Sequence, residues 1–441
     1  MKSKLLLLSL ALVLCASAHG QVASEVTTND STNSLKATIV RTWDANTSVQ
    51  IGIDQGKKYL IVHNHTPYYL GLANSYALLC NLPSVYSEIN DLQILNDIAY
   101  FCGKTNNQVG FIGYVDLNAV VAGTYPIIVN WSEIPEVTRL HKMAVYKNSA
   151  GREKAVAIGW KTYSCGNLLC RDNYVVEVPD ILTPSSYLYA NFHSTDVFVE
   201  VLFTRSQRLC FVEVNNMSTL ELGLRLANPD NVLLDPAIAN LILFPTGTNE
   251  VLSQTHSASY YDQLSVSYLS SNGTDFTTKI RYFDLSTKSM TNAQEFVVPD
   301  KVEPWEMTYY YHYGNPYPML LIDYLDPTWT TRPHFIRLEP TCFLPYASKS
   351  HYTTDNFNSL DCFNNQYIVS VGDNKIFHLN CDFNFSMFMG CPNPNPIVID
   401  PIDIATPRLF NISPIVNGGI WSNIASPQTR ITHQYMRTCS E

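Results

Sequence analysis

Apolar runs separated by short polar turns recur along most of the chain. The clearest example is LNDIAYFCGKTNNQVGFIGYVDL, residues 95–117, in which two apolar runs flank the polar segment KTNNQ. Alternating apolar and polar positions place one face of a strand against a core, and residues such as Asn and Gly join two strands in a turn. The pattern therefore predicts a β-hairpin.

The same pattern returns at six other places. They are residues 49–72, 142–160, 196–214, 262–285, 318–338 and 360–379. Neighbouring hairpins lie roughly 50 residues apart, and β-rich repeats of roughly 40 to 50 residues are typical of propellers, in which each repeat forms a four-stranded blade. We expect an all-β fold, with a seven-bladed β-propeller as the favoured architecture.

Other architectures fit the pattern less well. Six or eight blades are alternatives, because each hairpin is only half a blade. Tandem β-sandwiches are a further alternative, although their strands come without a longer period. The best short helix candidate, residues 219–226 (TLELGLRL), alternates as well as a strand does.

The N-terminus predicts export. Lys2 and Lys4 precede a short apolar run, and small residues follow it up to Gly20, as in a signal peptide over residues 1–20. A lipoprotein signal with Cys15 as the lipidated residue is the alternative, but Leu14 before it fits that processing site poorly. Residues 21–35 are expected to form a flexible leader, and residues 36–441 a single domain. We expect a secreted or periplasmic protein, with a cell-surface lipoprotein less favoured.

Composition narrows the possible partners. The net charge is −10 and the basic residues form no stripe, so nucleic acid is excluded as a partner. No stretch after the signal is long and uncharged enough to predict a transmembrane segment. Charged residues make up only 15% of the chain, while it holds 27 Tyr and 19 Phe, which favours β surfaces.

Cysteine usage agrees with export. Eleven cysteines are present, and the ten that remain without Cys15 favour disulfides in an oxidising compartment. The candidate pairs are Cys165 with Cys170, Cys381 with Cys391, Cys342 with Cys362, and Cys80 with Cys102. A zinc site at these cysteines is disfavoured because none has the C-x-x-C spacing.

The densest aromatic cluster predicts a ligand site. It is WEMTYYYHYGNPY, residues 305–317, followed by a further Trp in DPTWTTRPHF. Flat aromatic faces near polar groups suit sugar rings, although the same run fits a strand with one buried face. The candidate ligand-binding residues are Trp305, Tyr309, Tyr311, Tyr313 and Trp329.

Catalytic and metal motifs are weak. Glu306 and Asp323 are conceivable as the paired carboxylates of a glycosidase, but a sequence does not give their separation. His63 and His65 lie two apart on a predicted strand, yet no third metal ligand is identifiable. Neither a G-x-S-x-G nor an H-E-x-x-H motif occurs. We therefore assign no catalytic residue, expect no metal and no cofactor, and leave open whether the protein is an enzyme, with the balance against it.

The run NDIAYFCG followed by VGFIGYVDL resembles a pattern in uncharacterised secreted β-propeller-like proteins of anaerobic Gram-negative gut bacteria. The resemblance implies an exported β-rich protein and transfers no catalytic residue. The favoured function is an exported, non-catalytic propeller that binds a protein or glycan partner through its loop face. One alternative is a propeller glycoside hydrolase or lyase with carboxylates at the central channel. Another is a structural cell-surface or adhesion protein.

Overall fold

A computed structural model describes the chain in segments between Ala23 and Cys439. The predicted signal peptide and Cys15 lie outside them. The described residues are 23–27, 36–44, 47–64, 76–123, 127–166, 168–182, 186–192, 196–215, 221–245, 251–271, 276–297, 302–312, 315–325, 331–337, 351–352, 357–363, 367–372, 375–380, 398–401, 408–411, 415–419, 422–426, 428–432 and 435–439.

The described residues are almost entirely strand, and they form seven antiparallel sheets. In the first six sheets, four consecutive strands pair in chain order. Sheet 1 contains β2 (Lys36–Thr42), β3 (Thr47–Asp54), β4 (Lys57–Asn64) and β5 (Tyr76–Asn81). Sheet 2 contains β6 (Tyr86–Leu95), β7 (Ile98–Thr105), β8 (Gly110–Asp116) and β9 (Ile127–Ile134). Sheet 3 contains β10 (Arg139–Lys147), β11 (Glu153–Cys165), β12 (Leu168–Val178) and β13 (Tyr187–Phe192).

The next three sheets repeat this order. Sheet 4 contains β14 (Asp196–Phe203), β15 (Leu209–Asn215), β16 (Glu221–Ala227) and β17 (Asn240–Pro245). Sheet 5 contains β18 (Val251–Tyr260), β19 (Gln263–Ser271), β20 (Phe276–Asp284) and β21 (Ser289–Val297). Sheet 6 contains β22 (Val302–His312), β23 (Asn315–Leu325), β24 (Thr331–Arg337) and β25 (His351–Tyr352).

Sheet 7 joins the two ends of the chain. It contains β26 (Phe357–Phe363), β27 (Tyr367–Gly372), β28 (Lys375–Asn380) and, as its fourth strand, β1 (Ala23–Thr27). Residues 23–27 fall within the segment expected to be a flexible leader, and this part of it is a strand instead. Its backbone pairs on both sides, with β28 and with a strand at the C-terminus, so it needs little apolar patterning of its own.

Six short C-terminal strands add a fifth strand to six of the sheets. We call them the C-terminal belt: β29 (Val398–Pro401), β30 (Arg408–Asn411), β31 (Ile415–Gly419), β32 (Ser422–Ser426), β33 (Gln428–Thr432) and β34 (Tyr435–Cys439). In chain order they pair with sheets 5, 4, 3, 2, 1 and 7. The belt therefore passes the sheets in the reverse of their own order and covers their outer edges.

Helix is confined to two short elements among the described residues, α1 (Leu117–Ala122) and a 3-10 turn (Pro236–Ala239). The Asp116 carboxylate caps α1 by accepting from the amides of Asn118 and Ala119, and Gly123 ends it at φ 67°. The predicted short helix candidate, residues 219–226, belongs from residue 221 onward to strand β16, which is buried on both faces. No helix in the described part of the chain has the length and apolar character needed to cross a membrane.

Each of the seven predicted hairpins lies in a different sheet. Five of them are the second and third strands of their sheets, as in β7 with β8. The hairpins at 142–160 and 196–214 are instead the first and second strands, β10 with β11 and β14 with β15.

The core lies between neighbouring sheets. The first strands touch one another in chain order, β2, β6, β10, β14, β18, β22 and β26, and β26 contacts β2 in turn. Apolar clusters fill the spaces between sheets 1 and 2, 2 and 3, 3 and 4, and 4 and 5. In the first of these clusters, the rings of Tyr86 and Phe111 stack with centroids 4.1 Å apart.

The disulfide predictions have mixed outcomes. Cys165 and Cys170 are bonded across the turn between β11 and β12, with Cα atoms 5.8 Å apart. The pairing of Cys80 with Cys102 is wrong. Both are buried free thiols, and they face different cores: Cys80 lies between sheets 1 and 2, Cys102 between sheets 2 and 3.

Cys362 is also a free thiol, so its predicted pairing with Cys342 does not form. Cys342, Cys381 and Cys391 lie outside the described residues.

We expect Cys102→Ser to lower the free energy of unfolding by about 1–3 kcal/mol, because it buries a hydroxyl among apolar side chains. Cys102→Ala is the matched control and should cost less, since it removes the sulfur without adding a polar group. Urea unfolding measures both. Equal losses would show that the site is not apolar.

Thr42 of β2 and Asp361 of β26 test the contact between the first and last sheets. The Thr42 amide and hydroxyl both donate to Asp361 Oδ2, at 2.7 and 2.9 Å. Thr42→Val and Asp361→Asn should therefore be coupled by about 0.5–3 kcal/mol in a double-mutant cycle of urea unfolding. Additive effects would indicate that these sheets do not meet.

Candidate functional site

The first strands enclose a polar cavity of about 350 Å³. All seven sheets contribute to its lining. The residues are Arg41, Thr42, Gln93, Ile94, Lys142, Glu200, Leu202, Arg205, His256, Ser257, Ala258, Ser259, Tyr260, Glu306, Met307, Thr308, Tyr309, Leu360, Asp361 and Cys362. Arg205 is exposed and Gln93 is half-buried, so the cavity reaches solvent.

A register irregularity in every first strand precedes these residues. Each first strand slips against its neighbour by an extra residue or two, as at Leu140/Lys142 and Phe198/Glu200. Such bulges bend a strand and redirect its side chains. In six of the seven strands the paired residue directly after the irregularity is polar. These residues are Asp91, Lys142, Glu200, His256, Glu306 and Ser359.

Arg41 holds two carboxylates from different sheets. Its Nη2 lies 3.2 Å from Asp91 Oδ1, and its Nη1 lies 3.0 Å from Glu306 Oε1. Burial alone would lower the pKa of Arg41, but the charges of Glu306, Asp91 and Asp361 outweigh it and raise the pKa. Asp91 Oδ2 also accepts from the amide of Met143 at 2.8 Å. One guanidinium thus connects sheets 1, 2 and 6, and Asp91 extends the network to sheet 3.

Glu306 and Asp361, the two carboxylates next to sheet 7, accept hydrogen bonds from the protein itself. Glu306 Oε2 accepts from the Ser359 hydroxyl and from the Leu360 amide. Asp361 accepts from Thr42, from Thr308 and from the amide of Cys362. Burial raises the pKa of Asp361 and outweighs the opposing effects of Arg41 and these hydrogen bonds.

Glu200 makes fewer contacts with the protein than the cavity carboxylates Glu306 and Asp361. Its Oε2 lies 3.3 Å from Lys142 Nζ, and it makes no other hydrogen bond or ion pair within the described part of the chain. Burial raises its pKa to about 7, although Lys142 opposes the shift. Burial would lower the pKa of Lys142, but Glu200, Asp91 and Glu306 together raise it. Glu200 is therefore the cavity carboxyl with an oxygen left for a ligand.

His256 contributes a neutral imidazole. Burial, and then the charge of Lys142, lower its pKa to about 3, although its ring hydrogen-bonds the Pro304 carbonyl. It is uncharged at neutral pH and acts as a hydrogen-bonding group rather than a cation.

The sheet 5 side of the cavity is aromatic. The rings of Tyr260 and Tyr309 have centroids 6.0 Å apart, and the Tyr309 hydroxyl lies 2.6 Å from Ser265 Oγ. Burial raises the pKa of Tyr309 to about 12. The guanidinium of Arg205 lies 5.3 Å from the Tyr260 ring centre, at the exposed end. The cavity thus combines an aromatic wall, from sheets 5 and 6, with charged and hydroxyl groups.

The residues predicted from sequence divide between this cavity and other places. Tyr309 lines the cavity. Trp305, the bulged residue of β22, is 38% exposed and is not among the lining residues. Tyr311 belongs to β22, whereas Tyr313 and Trp329 lie outside the described residues. Their binding role stays a prediction.

The paired carboxylates considered for a glycosidase are placed only in part. Glu306 lines the cavity, and Asp323 lies on β23 opposite Glu303. His63 is buried in β4, and His65 lies outside the described residues. Among the described side chains, no group of three or more His, Cys, Asp or Glu is arranged to hold a metal ion.

Sequence reasoning missed Arg41, Lys142, Glu200 and His256. The signal they leave is their spacing: together with Asp91 and Glu306 they recur roughly every 50 residues along the chain, as propeller repeats require. Lys142 and Glu200 fall within predicted hairpins and Arg41 and His256 outside them, so the hairpin pattern did not reveal this repeat.

Comparison with known proteins yields no family. No protein-family model matches the chain, and no curated protein matches it. The site is therefore interpreted from its own chemistry.

The raised pKa of Glu200 predicts a pH-dependent stability. The folded protein keeps Glu200 protonated up to about pH 7, whereas the side chain ordinarily ionises near 4.5. The folded state then binds more protons in this window, so the free energy of unfolding falls as pH rises from about 4.5 to about 7. Glu200→Gln should remove a slope on the order of 1 kcal/mol per pH unit.

Urea unfolding between pH 4.5 and pH 8 measures this slope. Glu133→Gln, a half-buried carboxylate outside the cavity, is the control and should keep the slope of the unmodified protein. An unchanged slope in Glu200→Gln would contradict the burial of the Glu200 carboxyl.

Proposed function

We propose that the protein is an exported seven-bladed β-propeller that binds a glycan in its central cavity without catalysing a reaction on it. The observation that carries the proposal is a cavity of about 350 Å³ with an aromatic wall, lined by the first strands of all seven sheets. The proposal narrows the expected protein or glycan partner to a glycan.

The order of sheet contacts supports the propeller. In a propeller, four-stranded blades surround a channel, and the innermost strand of each blade faces it. Here the first strand of each sheet contacts the first strands of the sheets before and after it, and β26 contacts β2. The N-terminal strand β1 completes sheet 7, which would hold such a ring closed.

The chemistry of the cavity supports a sugar ligand. Small-molecule pockets occupy roughly 300–1,000 Å³ and combine apolar walls with a few placed polar groups. Tyr260 offers a ring face, while Ser257, Ser259 and Gln93 offer hydrogen-bonding groups. A space of this size admits one small ring or a chain end rather than a protein surface, which favours glycan over protein.

The hydrogen-bond pattern argues against catalysis. A glycosidase needs two available carboxyl groups, one to donate a proton and one to act as base or nucleophile. Glu306 and Asp361 are already occupied by groups of the protein. Among the described lining residues only Glu200 remains, and one residue with a pKa of about 7 suits a general acid but lacks a second available carboxyl there.

Export is part of the proposal. The signal-like N-terminus supports it, as does the Cys165–Cys170 disulfide, since such bonds persist in oxidising compartments. The resemblance to secreted proteins of gut bacteria supports the same compartment. A secreted or periplasmic location fits best.

Tyr260→Ala tests the binding site. A glycan array identifies the oligosaccharide that binds most tightly, and calorimetry then measures its affinity. We expect Tyr260→Ala to weaken binding about tenfold or more, because it removes the aromatic wall. The matched control is Tyr261→Ala, the neighbouring tyrosine, which is 49% exposed and outside the cavity. An empty array, or equal losses in both variants, would contradict the proposal.

The enzyme alternative has its own test. The unmodified protein and Glu200→Gln are incubated with a broad polysaccharide panel, and released reducing ends are measured. We expect no turnover by either protein. Turnover by the unmodified protein that Glu200→Gln abolishes would replace binding with glycoside hydrolysis.

A further inference from the structure

Sheet 3 carries a second cluster of unusual charge, away from the cavity. Trp160 on β11 is half-buried, and the guanidinium of Arg171 lies over it, 3.8 Å from the ring centre. The guanidinium of Arg139 lies 5.3 Å from the same ring, and the ring of His141 lies 4.9 Å from it. None of these four residues lines the cavity.

Arg171 has no counter-ion. Within the described part of the chain, its guanidinium makes neither a hydrogen bond nor an ion pair, and its Nε is buried without an acceptor. Burial, and then the charge of Arg139, lower the pKa of Arg171. Bringing two guanidiniums to one ring without a carboxylate for Arg171 is costly, because like charges repel and buried donors need acceptors.

Arg139 is only partly neutralised. Its Nε lies 3.2 Å from Glu88 Oε2, and its Nη2 donates to Asn90 Oδ1 at 2.9 Å. Glu88 also pairs with Lys104, at 2.9 Å. One carboxylate therefore serves two cations here, and positive charge remains in excess around Trp160.

The pKa of His141 reflects burial and this excess of positive charge. Its Nε2 donates to the carbonyl of Phe198 at 2.9 Å. Burial, and then the charge of Arg171, lower its pKa to about 3, so the ring is neutral. Its Nδ1 is buried without a partner.

The contact with Trp160 leaves the N–H donors of Arg171 without acceptors. A guanidinium that lies over an aromatic ring uses its flat face, while its N–H groups point outward in the plane. Those groups form a fork that matches two oxygens of a carboxylate, sulfate or phosphate. Trp160 thus holds Arg171 in place without satisfying any of its donors. Both residues are half-buried, and the Arg171 Nε is buried, so an oxyanion would meet the two Nη groups.

We propose that Arg171, with Arg139 beside it, binds an oxyanionic group at Trp160 on sheet 3. The ligand class is a carboxylate, sulfate or phosphate, either free or as a substituent of an acidic glycan. The site is separate from the cavity and does not depend on glycan binding there.

The first test is anion binding at constant ionic strength, with sodium sulfate or sodium phosphate replacing sodium chloride. Both tryptophan fluorescence and the thermal midpoint are recorded. Sulfate stabilises most proteins without binding a site, so the comparison between variants decides. We expect a saturable fluorescence change and a raised midpoint in the unmodified protein, with an affinity at least about tenfold weaker in Arg171→Gln.

Arg152→Gln is the matched control, because Arg152 is an exposed arginine in the turn between β10 and β11. It should behave as the unmodified protein does. Trp160→Phe should keep anion stabilisation while losing most of the fluorescence change. Without anion, Arg171→Gln should be at least as stable as the unmodified protein, since it removes an unpaired charge.

A second experiment distinguishes a free anion from an oxyanion that is carried by a glycan. A sulfated oligosaccharide is compared with a neutral dextran and with an acidic peptide. Tighter, Arg171-dependent binding of the sulfated sugar assigns the site to an acidic glycan, and binding of free sulfate or phosphate alone assigns it to a small anion. The proposal is overturned if no anion distinguishes the unmodified protein from Arg171→Gln, or if only the peptide does.

Discussion

The Arg41 guanidinium, whose side chain is 16% exposed, ties together the first strands of sheets 1, 2 and 6. It binds carboxylates from sheets 2 and 6, and Asp91 passes the connection to the backbone of sheet 3. Removing one partner of such a group leaves an unpaired charge in a largely buried position, at a cost of up to about 3–5 kcal/mol. The position of the first strands, and so the shape of the cavity, depends on this pairing.

The strands were far easier to predict from the sequence than the site. Alternating patterns such as residues 95–117 are local, and each predicted hairpin became a strand pair. The cavity depends on contacts between residues distant in the chain, such as Arg41 with Glu306. Lys142 lies in the strand RLHKMAVYK, and nothing local there indicates that a glutamate from the next sheet will pair with it.

The errors have a common physical origin. Cys80 and Cys102 are near in sequence, but Cys80 lies in the core between sheets 1 and 2 and Cys102 in the core between sheets 2 and 3, so sheet 2 separates the two sulfurs. β1 was taken for a leader because strands paired on both sides need little apolar character. Both predictions depended on which sheet lies next to the residues concerned, and a single sequence does not show this.

The pairing of β1 has a consequence for how the protein is made. Its two neighbours, β28 and β34, come from near the other end of the chain, so the first described strand to be synthesised is among the last to find partners. Contacts of such long sequence separation form slowly. Sheet 7 therefore stays incomplete in a growing chain until β28 and β34 have been synthesised. The belt would then act as the final step of assembly, sealing sheet edges that otherwise invite aggregation.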